Sequence, residues 1–396
     1  MDVTVVGGAY HEVCIDPTAH RLMGSGLRAA RLLRALGADA SLSTCVDAAT
    51  ASELGGVAAA FDVAVSTTPR ATPVRYVYET PVHPAIQSGS TSGEPIHADG
   101  EVVVGFGMIE TEWTAKGDRV VIDPQHSEVA ELLGRVRAPH LALVLNEHEA
   151  RRFAGRDDLR DAARYFVELG IDAVAIKRGA RGGLVATASR VDAFGAVPTR
   201  RVDPIGSGDA FTAGFAYAWA GQAAEPLEAA RFASRVAAAH SLEGAAGFNA
   251  DVLANVGEPI AYPQDSTPSV YLAGPFFNVA QRMLIRVARR ALRHLGVDVF
   301  SPLHEIGHGG DEVAELDLAG LGRCSSVLAI LDGADSGTVF ETGWATRANI
   351  PVVALAENAD DHAWTMHRGT EALVVPDLSS AIYNAAWAAL GRDAKK

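Results

Sequence analysis

Residues 203–211 read Asp203-Pro-Ile-Gly206-Ser207-Gly208-Asp209-Ala-Phe211, and an apolar, helix-forming run carries on from there to Ala220. Gly206, Ser207 and Gly208 let the backbone turn its N–H groups inward at a helix N-terminus, where the partial positive charge suits a phosphate. Asp209, at the mouth of such an anion hole, repels a phosphate but is well placed to take a proton from a hydroxyl attacking one. The same spacing also fits an ordinary strand-to-helix turn with an acid in its first turn. No G-x-x-x-x-G-K-[ST] occurs, so phosphate chemistry here does not run through a P-loop.

Outward from this turn the chain alternates. Short β-branched runs at Val3–Val6, Val102–Val104, Val120–Ile122, Leu141–Leu145 and Val174–Ile176 are interleaved with helical segments at Gly26–Leu36, Ala162–Leu169 and Ala210–Ala220. That pattern predicts a mainly parallel sheet covered by helices. Residues 67–98 break it with Pro69, Pro73, Pro81, Pro84 and a Gly/Ser-rich stretch, and read as a hairpin or loop excursion. From Gly257 to Pro268 periodicity is lost and three prolines collect, as in a linker. A second α/β set follows: strand Ser269–Ala273, helix Val279–Leu295, strand Val297–Phe300, helix Glu312–Leu321, strand Ser326–Leu331, helix Val339–Arg347, strand Pro351–Leu355 and helix Leu378–Leu390. The expected division is residues 1–256, a linker at 257–268, and residues 269–396, the last the size of a small doubly wound domain.

The 396 residues are 48% hydrophobic, enough for a large core, and carry 34 Lys+Arg against 48 Asp+Glu, a net charge of −14. Acid is in excess on both sides of the linker, 33 against 23 basic residues before residue 266 and 15 against 11 after it. A nucleic-acid surface needs a basic face, so no nucleic acid is expected as a partner and small-molecule chemistry is. Cys14, Cys45 and Cys324, odd in number and widely spaced, suit reduced thiols rather than a disulfide framework. The opening Met1-Asp-Val-Thr-Val-Val6 has no basic leader, and no apolar run approaches the ~18 residues of a membrane span. A soluble, cytoplasmic protein with no membrane partner is expected.

With its motifs in order, the stretch 1–255 resembles the PfkB (ribokinase-like) family of sugar and nucleoside kinases. Asp203–Phe211 is similar to that family's C-terminal signature, which implies Asp209 as catalytic base and the amides of Gly206, Ser207 and Gly208 as the anion hole. Asn146-Glu-His-Glu149 resembles the family's N-x-x-E motif, implying Asn146 on the nucleotide side and Glu149 on Mg²⁺ through phosphate or water. Lys177-Arg-Gly179-Ala-Arg-Gly182-Gly183 resembles the nucleotide-side strand and turn, lined by Gly179 and Gly182, with a Lys where Thr is common. The resemblance implies a ribokinase-like αβα sandwich that uses ATP and Mg²⁺. On the acceptor side the family's G-G-x-x-x-N becomes Met23-Gly24-Ser-Gly-Leu-Arg28, and the acid after the first strand is Glu12 rather than Asp. Glu12, Gly24 and Arg28 are then the expected substrate-binding residues, in a pocket of changed shape and charge. The segment from Glu12 to Gly24 is too short for the family's usual lid, so a reduced or missing lid is expected.

The second set contains Asp332-Gly-Ala-Asp335-Ser336-Gly337-Thr-Val-Phe340-Glu341-Thr-Gly-Trp344-Ala345. A strand ending in Asp332, a polar turn and a carboxylate in the next helix put acids at the carboxyl edge of a parallel sheet, where open α/β sheets bind ligands. Glu341 follows Asp335 by six residues, so turn and helix can aim both carboxylates at one cavity, and paired carboxylates split acetal-like bonds. From these residues alone, helix-start acids facing water fit as well. Taken with Tyr271-Leu-Ala-Gly274-Pro-Phe-Phe-Asn278 and Asp317, the D-S-G-T-x-F-E-x-G-x-A run resembles the nucleoside 2-deoxyribosyltransferase family over about residues 269–390. That resemblance implies Glu341 as nucleophile on C1′ of the sugar, Asp335 and Asp317 positioning sugar or departing base, and Tyr271 orienting Glu341. Gly274, Asp332, Ser336 and Gly337 would line the substrate site, with no cofactor, in a flavodoxin-like doubly wound sheet. Related deoxynucleotide N-hydrolases share the pattern, so either water or a second base can be the acceptor. Such families often build sites across subunits, and a homo-oligomer is expected.

His304-Glu-Ile-Gly-His308 fits H-E-x-x-H, but zinc binding by that motif needs a helix, and the surrounding Ser301-Pro302, Gly307, Gly309 and Gly310 read as a loop. His304 is instead a candidate substrate-facing residue, a solvated loop histidine being the plainer alternative. Arg282, Arg286, Arg289, Arg290 and Arg293 read as the wet face of an amphipathic helix, and Phe340 and Trp344 as core. The leading expectation is a fusion enzyme acting on small-molecule nucleosides or nucleotides: a kinase module followed by one that cleaves or transfers an N-glycosidic bond. In the alternative, the first module is an inactive nucleotide-binding sensor or oligomerisation scaffold for the second. An active sugar kinase with a degenerate second module is the third reading.

Overall fold

The structure, a computed structural model, describes residues 1–89, 93–125, 127–243, 248–262, 267–307, 309, 311–357 and 362–393. It divides into two compact units: Met1–Arg178 with Gly182–Val197 and Pro204–Ile260, and Ala261–Lys396 with Gly179–Arg181 and Pro198–Asp203.

In the first unit, among the described residues, a ten-stranded sheet runs Val191–Phe194, Gly183–Ala186, Ala173–Lys177, His140–Asn146, Trp113–Asp123, Ile96–Phe106, Asp2–Val6, Asp39–Val46 and Ala64–Pro69, with Val136–Arg137 beside Trp113–Asp123. Every pairing is parallel except the two at the Val191–Phe194 edge. The expected strands lie in it, and Val5, Val103, Val104, Val120, Val121, Ile122 and Val144 are fully buried, as a sheet covered on both faces requires. Helix Ser25–Ala35 turns Leu27, Ala29, Ala30 and Leu33 into this core, each leucine contributing roughly 1.5–3 kcal/mol. Helix Leu159–Glu168 starts where the Asp158 carboxylate accepts from the Arg160 and Asp161 amides. The segment expected as one helix to Ala220 is helix Ser207–Phe215 followed by a wider, π-type stretch, Ala216–Gly221. Where the first strand ends and helix Ser25–Ala35 begins, backbone meets backbone: a Cβ on Gly7 would lie 2.7 Å from the Gly26 Cα, and one on Gly26 2.6 Å from the Gly7 carbonyl. Only glycine permits that approach.

The excursion at 67–98 contains a hairpin, Arg75–Tyr78 with Ile86–Ser88, as expected, but it does not stand alone. It joins His11–Cys14 and Ala19–Leu22 in a separate four-stranded sheet, ordered Ala19–Leu22, His11–Cys14, Arg75–Tyr78, Ile86–Ser88. The short stretch before Gly24 thus folds as a hairpin and pairs with two strands from far along the chain, in the region where a reduced or missing lid is expected. All three cysteines are buried and none forms a disulfide.

In the second unit, among the described residues, five parallel strands run Asp298–Phe300, Ser269–Ala273, Ser326–Ile330, Val352–Leu355, Leu373–Val375. The order places the first strand inside the sheet, the doubly wound arrangement whose carboxyl edge opens at a switch point. Helices Val279–His294, Glu312–Arg323 and Leu378–Asp393 fall close to their expected places. Three details differ from expectation. Helix Ser336–Arg347 starts three residues before Val339, because the Asp335 carboxylate caps it. Phe340 is 62% exposed, not core, while Trp344 is packed on the core. Residues Pro302–Glu305, expected as loop, form a single helical turn; it ends before Gly307, so one helix does not carry both ends of the H-E-x-x-H run, and His308 lies outside the described residues. Of the arginine series, Arg286, Arg290 and Arg293 are exposed as expected, but Arg282 donates to the Phe276 carbonyl at 2.7 Å and Arg289 pairs with Glu305 at 2.9 Å. No helix among the described residues is long and apolar enough to cross a membrane.

Candidate functional site

In the first unit the Gly206 turn, with φ 77° at Gly206, opens helix Ser207–Phe215 and sets Asp209 in its first turn. Against that turn lies the Arg28 guanidinium, which a Cβ on Gly206 would strike. Arg28 Nη1 donates to Asp209 Oδ2 at 2.6 Å, and Nη2 donates to both Glu12 oxygens at 2.7 and 2.6 Å. Arg21 Nε adds a bond to Glu12 Oε2 at 3.1 Å and the Gly24 amide one to Oε1 at 3.3 Å. Gly24, at φ 88°, is the residue preceding helix Ser25–Ala35. Burial raises the Glu12 carboxyl, but the Arg28 and Arg21 charges outweigh it and hold the acid below its ordinary value. For Asp209 the balance goes the other way: burial outweighs Arg28, and the group is pushed up to about 6. Gln125 Nε2 donates to its other oxygen, Oδ1, at 3.1 Å.

Beside this turn Asp123, at the end of its strand, accepts from Lys177 Nζ at 2.8 Å and the Thr212 hydroxyl at 2.7 Å. Asn146 and Glu149 form a reciprocal cap, each side chain accepting from the other's amide at 2.8 Å. Burial, reinforced by Asp123, pushes Glu149 up to about 7. The Ser207 amide donates to the Pro204 carbonyl at 3.1 Å, so within the turn it is already engaged. A Cβ on Gly182 would collide with the Phe194 carbonyl, which gives that glycine a packing role. Gly179 groups with the second unit. Glu110, 1% exposed, is pushed by burial up to about 7.

In the second unit Tyr271, fully buried on its strand and stacked on Phe300, donates its hydroxyl to Glu341 Oε1 at 2.5 Å. Burial pushes Glu341 up to about 7; the Tyr271 hydrogen bond opposes the shift and the Asp317 and Asp335 charges add to it. Burial also raises Asp317, whose Oδ1 is buried without a hydrogen-bond partner. Asp335 Oδ2 accepts from the Thr338 amide and hydroxyl, both at 2.8 Å, as the helix cap. Asp332 Oδ2 accepts from the Glu357 amide at 2.8 Å. Ser336 and Gly337 are exposed in the first turn of the helix. A Cβ on Gly274 would press Ile285 and Ile330 at about 3 Å. His304 is exposed, its Nδ1 3.0 Å from the Ser301 hydroxyl.

Against known families, residues 110–251 match the pfkB family carbohydrate kinases and residues 270–377 match nucleoside 2-deoxyribosyltransferase. The chain joins segments of two enzyme families. A cytidine kinase of Thermococcus kodakarensis is 37% identical over 112 residues, 25% of this chain and 39% of that protein. An uncharacterised sugar kinase of Archaeoglobus fulgidus is 41% identical over 63 residues, 16% of this chain and 25% of that protein. The chain thus spans well under half the length of either relative. Among solved structures, a Vibrio cholerae fructokinase matches with TM-score 0.54 at 17% identity, covering 64% of this chain and 97% of that one. Phosphofructokinase-2 of Escherichia coli matches with TM-score 0.52 at 17% identity, covering 65% and 98%. These likenesses show a ribokinase-like fold for the first unit.

In the kinase-family unit the structure brings Asp209, Gly206, Glu12, Gly24 and Arg28 together, and in the transferase-family unit Tyr271 and Glu341, with the charges of Asp317 and Asp335 acting on Glu341. Sequence reasoning missed Gln125, Asp123 and Thr212. Asp123 had a signal, an acid closing an apolar strand at the sheet's carboxyl end; Gln125 and Thr212 had none.

Proposed function

We propose that the transferase-family unit cleaves or transfers the N-glycosidic bond of a (deoxy)nucleoside or nucleotide, with Glu341 as nucleophile. The observation that carries this is the 2.5 Å bond from the Tyr271 hydroxyl to Glu341 Oε1, which fixes the carboxyl and leaves Oε2 to attack. Glu341 Oε2 forms the bond to C1′ as the C1′–N bond breaks, and the base leaves with that electron pair and takes up a proton. Water or a second base then attacks C1′ and frees Glu341. Glu341 must be anionic to attack, and with its carboxyl raised to about 7 the attack should strengthen as pH rises through that value. Asp317, with a buried oxygen lacking a partner, would hold a sugar hydroxyl or the departing base; Asp335, its Oδ2 used as a cap, would act through Oδ1.

The kinase-family unit is proposed as an ATP-dependent phosphotransferase in which Asp209 takes the proton of the attacking hydroxyl. The left-handed turn at Gly206 and the positive end of helix Ser207–Phe215 supply a place for the transferred phosphoryl group. No group of three His, Cys, Asp or Glu side chains among the described residues is arranged to hold a metal ion, so Mg²⁺ would arrive on the nucleotide phosphates, with Glu149 reaching it through water. The scaffold or sensor reading draws its support from Arg28, which occupies the base.

One incubation series tests both: ATP and Mg²⁺ with (deoxy)nucleosides, their monophosphates and simple sugars, free base and ADP both quantified. Base release from at least one panel member is expected. None from any member overturns the glycosidic reading, and ATP binding without ADP favours the sensor. An added free base trapped as a new nucleoside shows transfer rather than hydrolysis.

A further inference from the structure

Arg28 is 3% exposed and forms a bridge between two carboxylates, Glu12 and Asp209. The donors of Arg28, Arg21 and Gly24 occupy both oxygens of Glu12, so it has little capacity left for a substrate hydroxyl. Asp209 is engaged at both oxygens as well, by Arg28 and Gln125. Each oxygen keeps a second lone pair, but a carboxylate held by a guanidinium at 2.6 Å is a weakened base, so Asp209 gains basicity by leaving Arg28. A neutral sugar that prises Asp209 from Arg28 leaves Nη1 of a buried guanidinium without its anionic acceptor, and the remaining counter-charge, Glu12, is shared with Arg21, which is unfavourable. An oxyanion entering with the acceptor replaces the lost carboxylate charge for charge, and a planar guanidinium is suited to bind it by two parallel bonds. A further observation points the same way: Arg28 Nε is buried without a hydrogen-bond partner, against the Gly206 turn.

We propose that the acceptor of the kinase-family unit carries its own oxyanion, a phosphate or carboxylate, and that Arg28 is the specificity-determining residue that receives it in exchange for Asp209. This rests on the phosphotransferase reading of that unit. On binding, Arg28 passes from Asp209 to the incoming anion, and Asp209 is released to face the acceptor hydroxyl.

The test uses the full chain, with calorimetric binding of ribose, ribose 5-phosphate and ribonate, alongside ADP formation from ATP and Mg²⁺ with each. Ribose 5-phosphate, ribonate or both should bind at least tenfold more tightly than ribose, the two arms separating phosphate from carboxylate. Arg28→Gln should erase the preference and Arg28→Lys, which keeps the charge without the fork, should retain part of it. Dependence on Arg28 separates this binding from any in the transferase-family unit. If Arg28→Gln does not fold, as judged by its melting transition, the Glu12→Gln/Arg28→Gln pair removes both charges of that buried contact and takes its place. Equal or tighter binding of ribose, or a preference that survives the loss of Arg28, overturns the proposal. Anion binding that depends on Arg28 without ADP formation upholds the anion site and rejects the phosphotransferase reading, whereas ADP formed from ribose alone does the reverse.

Discussion

The Tyr271 hydroxyl and the Glu341 carboxyl, seventy positions apart in sequence, meet at 2.5 Å, one delivered by the interior of a strand and the other by the second turn of a helix. A hydrogen bond that short to an ionisable oxygen favours the ionised form, and here it works against burial.

Replacing Tyr271 by Phe therefore raises the Glu341 pKa above about 7. Base release at pH 7 should fall roughly 10- to 100-fold, the worth of a hydrogen bond to a charged group. The pH–rate profile is the check: its acidic limb should move to higher pH, whereas a purely structural loss would lower the plateau without moving the limb.

Glu341 has a folded-state pKa of about 7 against an ordinary 4.5, so the folded chain retains a proton that the unfolded chain gives up. The sign follows: stability is lost as pH rises from about 4.5 to about 7 and the loss is complete above that. Glu341→Gln, neutral throughout, should gain in melting temperature relative to the parent between pH 5 and pH 8 while releasing no base. Parallel melting curves across that range would contradict the assigned shift.

Asp209→Asn should lower ADP formation by about 10²- to 10⁴-fold, the range for loss of a general base, and leave base release unchanged. In the parent, ADP formation should climb as Asp209 ionises around pH 6. Assays of both products in one reaction provide the comparison.

At Asp335 two roles can be separated. Asp335→Ala removes the helix cap and should cost about 1 kcal/mol in chemical unfolding, whereas Asp335→Asn keeps a cap oxygen and should cost much less. If Asp335→Asn also retains base release, the carboxylate matters as a cap; a loss of activity at unchanged stability assigns it to the substrate.

The parallel sheet and its helices were legible because apolar runs such as Val102–Val104 and Val327–Ile330 are buried on both faces and carry their own signal. The small four-stranded sheet was legible only as a hairpin or loop excursion at 67–98, since Ile86–Ser88 is wholly exposed and Arg75–Tyr78 has no buried residue to fix its place. Phe340 misled for the converse reason: hydrophobicity alone does not say which side of a helix meets the core. Glu12, Arg28 and Asp209 were each singled out in the sequence, yet nothing there said that they would be bonded to one another. Contacts across 16 and 181 positions are decided by the fold. The Asp335 cap was hidden by its nearness to Glu341, which drew both acids into a single catalytic interpretation.

The glycine crossing at Gly7 and Gly26 sets what lies beneath the Arg28 bridge. With backbone pressed on backbone at that point, the first turn of helix Ser25–Ala35 is pinned to the end of the first strand, and Arg28, two residues beyond Gly26, has no hinge beneath it. Under the proposed exchange Arg28 would therefore change partners through its own side-chain torsions, over a backbone held in place. In that reading the unlatching of Asp209 asks for no movement of the scaffold.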